Sequence, residues 1–191
     1  MENKKLNEQE SLALITQMIQ NSKKGLVVGS GNSFLFWGYL TLAVSIAIFL
    51  LLYITGNQSW FWLGIVIPVI GCLYTYWVSR RNGKKTMSYV DKVISNVWQI
   101  VGGTCAIIAL LALNYGNNIA ILPLLLLVLS VGAGITGSVI QEKSFYNCSA
   151  FGIAISLGML FNINSIVEGP LRQVFAFALA ITVVMIIPGH M

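Results

Sequence analysis

Charged residues are scarce in this sequence. They make up 9% of its 191 residues, whereas an ordinary soluble domain carries about 25%. Hydrophobic residues make up 57%, and the mean hydropathy is +0.80. This composition excludes an ordinary soluble domain. The apolar residues also fall in runs of about 20, the length at which a helix crosses roughly 30 Å of hydrocarbon, so we expect one membrane domain.

The residues that perform chemistry in membrane enzymes are equally few. The chain has a single histidine, His190, and a single aspartate, Asp91. Membrane proteases and group transferases need a nucleophile with a base, a pair of carboxylates or a metal cluster. Cys72, Cys105 and Cys148 are isolated, without the paired spacing of a zinc site. We therefore expect no enzymatic activity, no metal ion, no cofactor, and three reduced structural thiols.

Acidic residues are missing from the apolar runs. None of the six acidic residues falls inside one of them. Ion-coupled transporters, proton relays and voltage sensors normally carry an ionisable residue at membrane depth, because something must bind and release the ion. The sequence therefore disfavours these classes.

The charge that is present is mostly positive, with a formal net charge of +5. These cations lie beside the apolar runs, and they do not alternate with aromatic residues along one face as they would in a nucleic-acid site. We therefore predict no nucleic-acid partner and interpret the cations as a topology signal.

Six apolar runs predict an all-α bundle of six transmembrane helices, arranged as three helical hairpins in a lipid bilayer. The predicted spans cover about residues 34–55, 60–77, 97–113, 119–140, 145–163 and 171–187. The strictly apolar part of the third span is short. Two domains are expected, a cytoplasmic segment over 1–33 and the membrane domain over 34–191.

A basic connector between the second and third spans indicates the orientation. Its cations are Arg80, Arg81, Lys84, Lys85 and Lys92. Lys and Arg are retained on the cytoplasmic side of membranes. With this connector inside, all of the 11 Lys and Arg residues except Arg172 lie on the cytoplasmic side. The sequence thus predicts a multi-pass protein of the bacterial inner membrane with both termini in the cytoplasm.

The segment before the first span has the pattern of an amphipathic helix. Asn7 and Glu10 have the spacing of a capping box, and Lys23-Lys24-Gly25 is typical of a helix end. A flexible joint is expected at residues 29–33. The apolar side of this helix is a candidate partner face, formed by Leu12, Ile15, Met18 and Ile19. It could contact its own bundle, a second copy, another protein or lipid; the balance of two glutamates and two lysines favours the bundle or a second copy over lipid.

Small residues recur at helical spacing on three spans, where they would let helix backbones approach closely. They are Gly102 and Ala106 on the third span, Ser130, Gly134 and Ser138 on the fourth, and Ala154 and Gly158 on the fifth. We interpret them as helix-packing positions. The functional alternative is a narrow pore or substrate groove, with polar residues of spans three to five beside it: Asn96, Gln99, Thr104, Asn147 and Asn162.

One stretch resembles a known group of proteins. Glu10-Ser-Leu-x-x-Ile-x-x-Met-Ile-x-x-Ser-Lys, followed after a linker by Trp37-Gly38-Tyr-Leu, is similar to the opening of small, functionally uncharacterised bacterial membrane proteins of six spans. Some of these are encoded beside winged-helix transcription regulators. The resemblance covers the amphipathic helix and the first span, and it implies a regulatory or accessory role.

Two functions from different classes remain open at this point. The first is a non-enzymatic accessory or regulatory protein that acts on a cytoplasmic or membrane protein partner through its N-terminal helix and basic connector. The second is a small oligomeric transporter or channel for an unknown solute. The sequence gives neither the partner nor the solute.

Overall fold

The structure is a computed structural model that describes residues 8–81, 89–115, 121–161 and 169–190, and every element in these ranges is helical. The elements are α1 (Glu8–Thr55), a 3₁₀ segment (Gln58–Ile65), α2 (Val66–Arg81), α3 (Tyr89–Tyr115), α4 (Ile121–Ile140), α5 (Lys143–Phe161) and α6 (Pro170–His190).

Six helical segments within the described residues are long and apolar enough to cross a membrane. They are Phe34–Thr55, Gln58–Val78, Val90–Ala112, Ile121–Ile140, Lys143–Phe161 and Pro170–His190. The prediction of an all-helical fold with six helices of membrane-spanning length and hydropathy is therefore confirmed for the described residues. The helix that contains the third span begins at Tyr89, eight residues before the start predicted for the span itself.

The structure differs from the sequence interpretation at the junction between the N-terminal segment and the first span. No helix end occurs at Gly25 and no joint at residues 29–33, because α1 runs unbroken from Glu8 to Thr55. A glycine inside a helix costs only about 1 kcal/mol relative to alanine, whereas a proline would remove a hydrogen bond. No proline occurs before Pro68, so the hydrogen-bond ladder can continue through the glycines.

Towards one end of the bundle, an aromatic cluster joins the first halves of three spans. Phe34 of α1 is 4% exposed, and its ring centroid lies 5.1 Å from those of both Trp98 of α3 and Phe145 of α5. Both contacts are edge-to-face, the arrangement that suits the charge distribution of aromatic rings.

A second cluster lies towards the other end of the first span. Ile48 and Leu52 of α1 are buried against Val174 of α6, and Leu122 of α4 and Phe61 of the 3₁₀ segment pack on them. Eighteen residues of α-helix separate Phe34 from Leu52, which is about 27 Å at 1.5 Å per residue. The two clusters are thus separated by nearly the thickness of the hydrocarbon layer.

Between these clusters, the most completely buried side chains lie where α4, α5 and α6 meet. Leu126, Ile181 and Val184 are 0% exposed there. Gly152 of α5 lies so close to Ser130 and Val184 that an added Cβ atom would overlap both. The helices therefore approach through glycine and serine, as expected where the hydrophobic effect contributes little to helix association.

The helix α6 contains one turn of π-helix, Thr182–Ile186. The N–H of Ile187 donates to the carbonyl oxygen of Thr182, five residues back. Pro188 follows directly, and a proline cannot donate to an α-helical ladder and clashes with the preceding turn. A wider turn at this place lets the helix continue to His190, beyond the end at residue 187 that the sequence predicted.

The helix α2 is little enclosed by the rest of the described chain. It packs on α1 through a stacked pair, Phe36 and Tyr74, whose ring centroids are 3.6 Å apart, and through Trp37, which covers Gly71. Pro68 lies in the first turn of α2, where its missing N–H is not needed. Most side chains of α2 are exposed and would face lipid in a membrane.

Candidate functional site

The candidate site is a groove on the outer face of α4 and α5. It has a volume of about 390 Å³ and is open to the surroundings of the bundle. Its floor is formed by small residues of the two helices, Gly134, Ser138, Ser149 and Ala150, and larger apolar side chains flank it, among them Ile135 and Ile153. We call it the outer groove.

The outer groove continues into a polar recess of about 360 Å³ at the turn between α4 and α5. Ser138 and Tyr146 line both spaces. The other residues of the recess are Gly137, Gln141, Glu142, Lys143 and Asn147. Polarity therefore rises along one continuous surface, from an apolar wall to a wall with amide and charged groups.

The turn that forms the recess begins at the end of α4, and its conformation is set by the way that helix ends. Gln141 has a φ of 63°, the left-handed conformation, and the N–H of Glu142 donates to the carbonyl oxygen of Gly137 at 3.1 Å. This is the Schellman arrangement that ends many helices, with glutamine where glycine is usual. Only two residues separate α4 from α5, so the two helices are held side by side.

The two serine hydroxyl groups of the outer groove are satisfied within their own helices. Ser138 donates to the carbonyl oxygen of Gly134 at 3.0 Å, and Ser149 donates to that of Tyr146 at 2.8 Å. Neither hydroxyl contacts a base that could activate it, and the histidine of the chain instead contacts Tyr39, with 2.8 Å between Nε2 and the phenol oxygen. The groove is therefore suited to hold an apolar group rather than to attack one.

Of the residues proposed for helix packing, some lie in close contact with a neighbouring helix and others are exposed. Ser130 is buried, and an added Cβ on Gly134 would lie 2.7 Å from the Oγ atom of Ser149.

Gly102 and Gly158 have open space around them, so they make no close helix contact in the described chain. Exposed positions are also occupied by Ala106, Ser138 and Ala154. For these the expected close packing is not seen within the described chain, and Ser138 instead lines the open outer groove.

Other glycines make close contacts that the sequence interpretation did not select. A Cβ on Gly132 would lie 2.7 Å from Val101 of α3, and one on Gly137 would lie 2.6 Å from Phe145 of α5. Gly71 and Gly152 are covered in the same way by Trp37 and Ser130. The available signal was the Gly-Ala-Gly-Ile-Thr-Gly run of α4, whose three glycines face two different helices.

The polar residues proposed for a pathway through spans three to five are not brought together. Asn96 and Gln99 are exposed on α3, and Thr104 donates to the carbonyl oxygen of Ile100 in its own helix at 2.9 Å. Asn147 lines the polar recess. Asn162 lies outside the described residues.

The cations of the basic connector are described in part. Arg80 lies over the ring of Tyr76 at 5.7 Å and Arg81 over that of Trp77 at 5.1 Å. Both are cation–π contacts at the end of α2, and in each the arginine lies one helical turn after the aromatic residue. Lys92 is exposed on α3, and Lys84 and Lys85 lie outside the described residues.

The candidate partner face of the N-terminal segment is described at one residue. Leu12 is 64% exposed. The side chains of Ile15, Met18 and Ile19 lie outside the described residues, although the backbone of all four is helical.

The cysteines and the other metal-binding residue types are dispersed. Cys72, Cys105 and Cys148 are free. Across residues 8–81, 89–115, 121–161 and 169–190, no three residues of the types His, Cys, Asp and Glu are close enough to hold a metal ion.

Comparison with known proteins identified no relative of this chain. No protein-family model matches the chain, and searches of curated proteins and of solved structures found no match.

Proposed function

We propose that this chain is a non-enzymatic accessory or regulatory protein of the bacterial inner membrane that acts on a protein partner through its N-terminal helix and basic connector. Both termini lie in the cytoplasm, and the six spans form three hairpins. The charge distribution supports this orientation, because all cations but Arg172 then lie inside. The aromatic cluster of Phe34, Trp98 and Phe145 is consistent with the hairpins, since it joins the first halves of the first, third and fifth spans.

The observation that carries the proposal is the continuity of α1. The helix begins at Glu8, and the first span begins at Phe34. The 26 residues between these points would extend about 39 Å along the helix axis. A partner bound to this extension would be connected to the membrane bundle by a single helix rather than by a loose linker.

The core contacts of α1 support a regulatory role. Gly38 packs on α6 at its π turn, where an added Cβ would lie 3.0 Å from both Met185 and Ile186. On another side, Trp37 covers Gly71 of α2. If a bound partner displaced α1, these contacts would therefore change the packing of α1 against both α2 and α6.

The test compares two single-charge variants of the full chain: Leu12→Glu on the apolar side of the N-terminal helix, and Gln20→Glu, a polar position that falls on the opposite side at 100° per residue. Each protein is extracted gently from its own membrane, and its stoichiometry and retained molecules are recorded by native mass spectrometry. A protein partner retained by the wild type and by Gln20→Glu, and lost from Leu12→Glu, is the expected result.

A homo-oligomer that retains a small solute, moves this solute into liposomes, and is indifferent to Leu12→Glu would contradict the proposal. That result would instead support the second function, a small oligomeric transporter or channel.

A further inference from the structure

We propose that the outer groove and the polar recess together bind one glycerophospholipid, with an acyl chain along α4 and α5 and a zwitterionic, primary-amine headgroup in the recess. This inference concerns the surface of α4 and α5, and it does not depend on the partner proposed for α1.

The first argument is the match in polarity. The outer groove is lined almost entirely by apolar atoms, and its two serine hydroxyl groups are already bonded within their helices. The surface of the adjoining recess is also mostly apolar, but it is more polar than the groove, and the residues around it bear a carboxylate, an ammonium group and two amides, from Glu142, Lys143, Gln141 and Asn147. A ligand that fills both spaces must be apolar at one end and charged at the other, as a phospholipid is.

The second argument is the length of the groove. Along α4 it extends from Val131 to Val139, and along α5 from Tyr146 to Ile153. Seven to eight residues of helix rise about 10–12 Å, whereas one leaflet contributes about 15 Å of hydrocarbon. The groove therefore fits a chain of the leaflet that borders the recess. A transmembrane helix of a second copy would instead favour a face extending along the whole span.

The third argument is the charge of the recess. Glu142 and Lys143 are adjacent and exposed, and no residue of the described chain forms a salt bridge with either. Lys143 is also the first residue of α5, at the positive end of a 19-residue helix. A phosphate would be stabilised by the lysine and the helix terminus, while a primary ammonium would be stabilised by Glu142.

These charges distinguish between common headgroups. Phosphatidylethanolamine supplies both a phosphate and an ammonium group with N–H donors. Phosphatidylglycerol supplies the phosphate but no cation, and phosphatidylcholine has a cation without N–H donors. We therefore expect the affinity to be highest for phosphatidylethanolamine.

The groove is tested with a filled variant and a matched control on the same helix. Ala150 is exposed in the outer groove, and Ala154 is exposed one turn further along α5 and does not line it. The full-length wild type, Ala150→Phe and Ala154→Phe are titrated in native mass spectrometry with the three lipids, which carry identical acyl chains. We expect one tightly retained phosphatidylethanolamine in the wild type and in Ala154→Phe, and at least tenfold weaker retention in Ala150→Phe.

The headgroup is tested with charge variants. Glu142→Gln should abolish the preference for phosphatidylethanolamine over phosphatidylglycerol, and Lys143→Gln should weaken binding of all three lipids by several-fold. Lys92→Gln, a cation on α3 outside the recess, should leave all affinities unchanged.

Two results would overturn the proposal. One is equal lipid retention by the wild type and Ala150→Phe. The other is a wild-type dimer that becomes monomeric in Ala150→Phe without a change in bound lipid, because the occupant would then be a second copy of the chain.

Discussion

Ser156 of α5 donates a hydrogen bond of 2.7 Å to the carbonyl oxygen of Pro123 of α4, and the hydroxyl of this serine is fully buried. Ser130 is equally buried, yet its Oγ atom has no hydrogen-bond partner in the described chain. The two serines thus offer a matched pair. The hydroxyl of Ser156 connects two helices by a hydrogen bond, whereas the hydroxyl of Ser130 is buried without a hydrogen bond in the described chain.

Replacing each of these serines by alanine should have opposite consequences. Ser156→Ala removes a bond between helices in an apolar environment, where such bonds contribute about 0.6 kcal/mol on average and up to roughly 1.7. Ser130→Ala removes an unpaired hydroxyl and should leave the stability unchanged or slightly increase it, since an unsatisfied buried polar group is unfavourable. Thermal unfolding of the purified variants in one detergent measures both effects. A larger loss of stability for Ser130→Ala than for Ser156→Ala would contradict the assignment of partners.

The attachment of α2 is expected to depend on Gly71. Any Cβ atom at this position would overlap the indole ring of Trp37, so Gly71→Ala must displace either the ring or α2. We expect a loss of about 1–3 kcal/mol in the free energy of unfolding, the usual cost of overpacking. Gly64→Ala is the control, because Gly64 of the preceding 3₁₀ segment has open space around it.

A double-variant cycle makes this prediction specific. If the overlap with the ring is the cause, Gly71→Ala should cost less when Trp37 is replaced by leucine than when it is present, as contacting residues are energetically coupled. Equal costs in the two backgrounds would show that the ring is not what Gly71 accommodates.

The apolar runs alone were sufficient to predict the six spans, because the length and hydropathy of a span are properties of the local sequence. The end of the N-terminal helix was predicted wrongly. Lys23-Lys24-Gly25 has the residues of a helix end, but such signals contribute only about 1 kcal/mol and are overcome when the hydrogen-bond ladder can continue.

The groove could be predicted only in part. Gly134 and Ser138 were recognised as a small face, but whether a small face meets a neighbouring helix or remains open depends on the rotation of both helices. The same uncertainty explains why Gly102 and Gly158 were selected although they are open, while Gly132 and Gly137 were not selected although they are covered. Sequence spacing identifies faces of a helix; it does not identify what lies opposite them.

The turn between α4 and α5 should be stabilised by glycine. Gln141 has a φ of 63°, a region that is unfavourable for residues with a Cβ atom. Gln141→Gly relieves this cost but also increases the freedom of the unfolded chain, so we expect a net gain of about 0.5–1 kcal/mol. The melting temperature of the variant should rise accordingly.

Gly56 provides the reciprocal control for this turn. It follows the end of α1 with the same φ of 63°, and nothing lies near its missing Cβ. Gly56→Ala should therefore lower the stability by about 1 kcal/mol through the backbone alone. If Gln141→Gly were destabilising while Gly56→Ala behaved as expected, the glutamine side chain would have to contribute more than its backbone strain costs.

The continuity of α1 predicts a distance that distinguishes it from the jointed arrangement suggested by the glycines. Leu12 and Ile46 are both exposed and both lie on α1. In an unbroken helix, their backbones are about 51 Å apart at 1.5 Å per residue. Spin labels at these two positions, in a chain whose native cysteines are replaced by alanine, should give a narrow distribution of pulsed electron–electron distances near this value in nanodiscs.

A control pair calibrates this measurement within the span. Tyr39 and Tyr53 are exposed on the same helix, and their backbones should be about 21 Å apart. If the control pair gave its expected narrow distribution while the Leu12–Ile46 pair gave a broad one centred well below about 51 Å, α1 would bend at residues 29–33. The extension could then not transmit a displacement to Gly38 and the π turn of α6, and the proposed regulatory role would lose the observation that carries it.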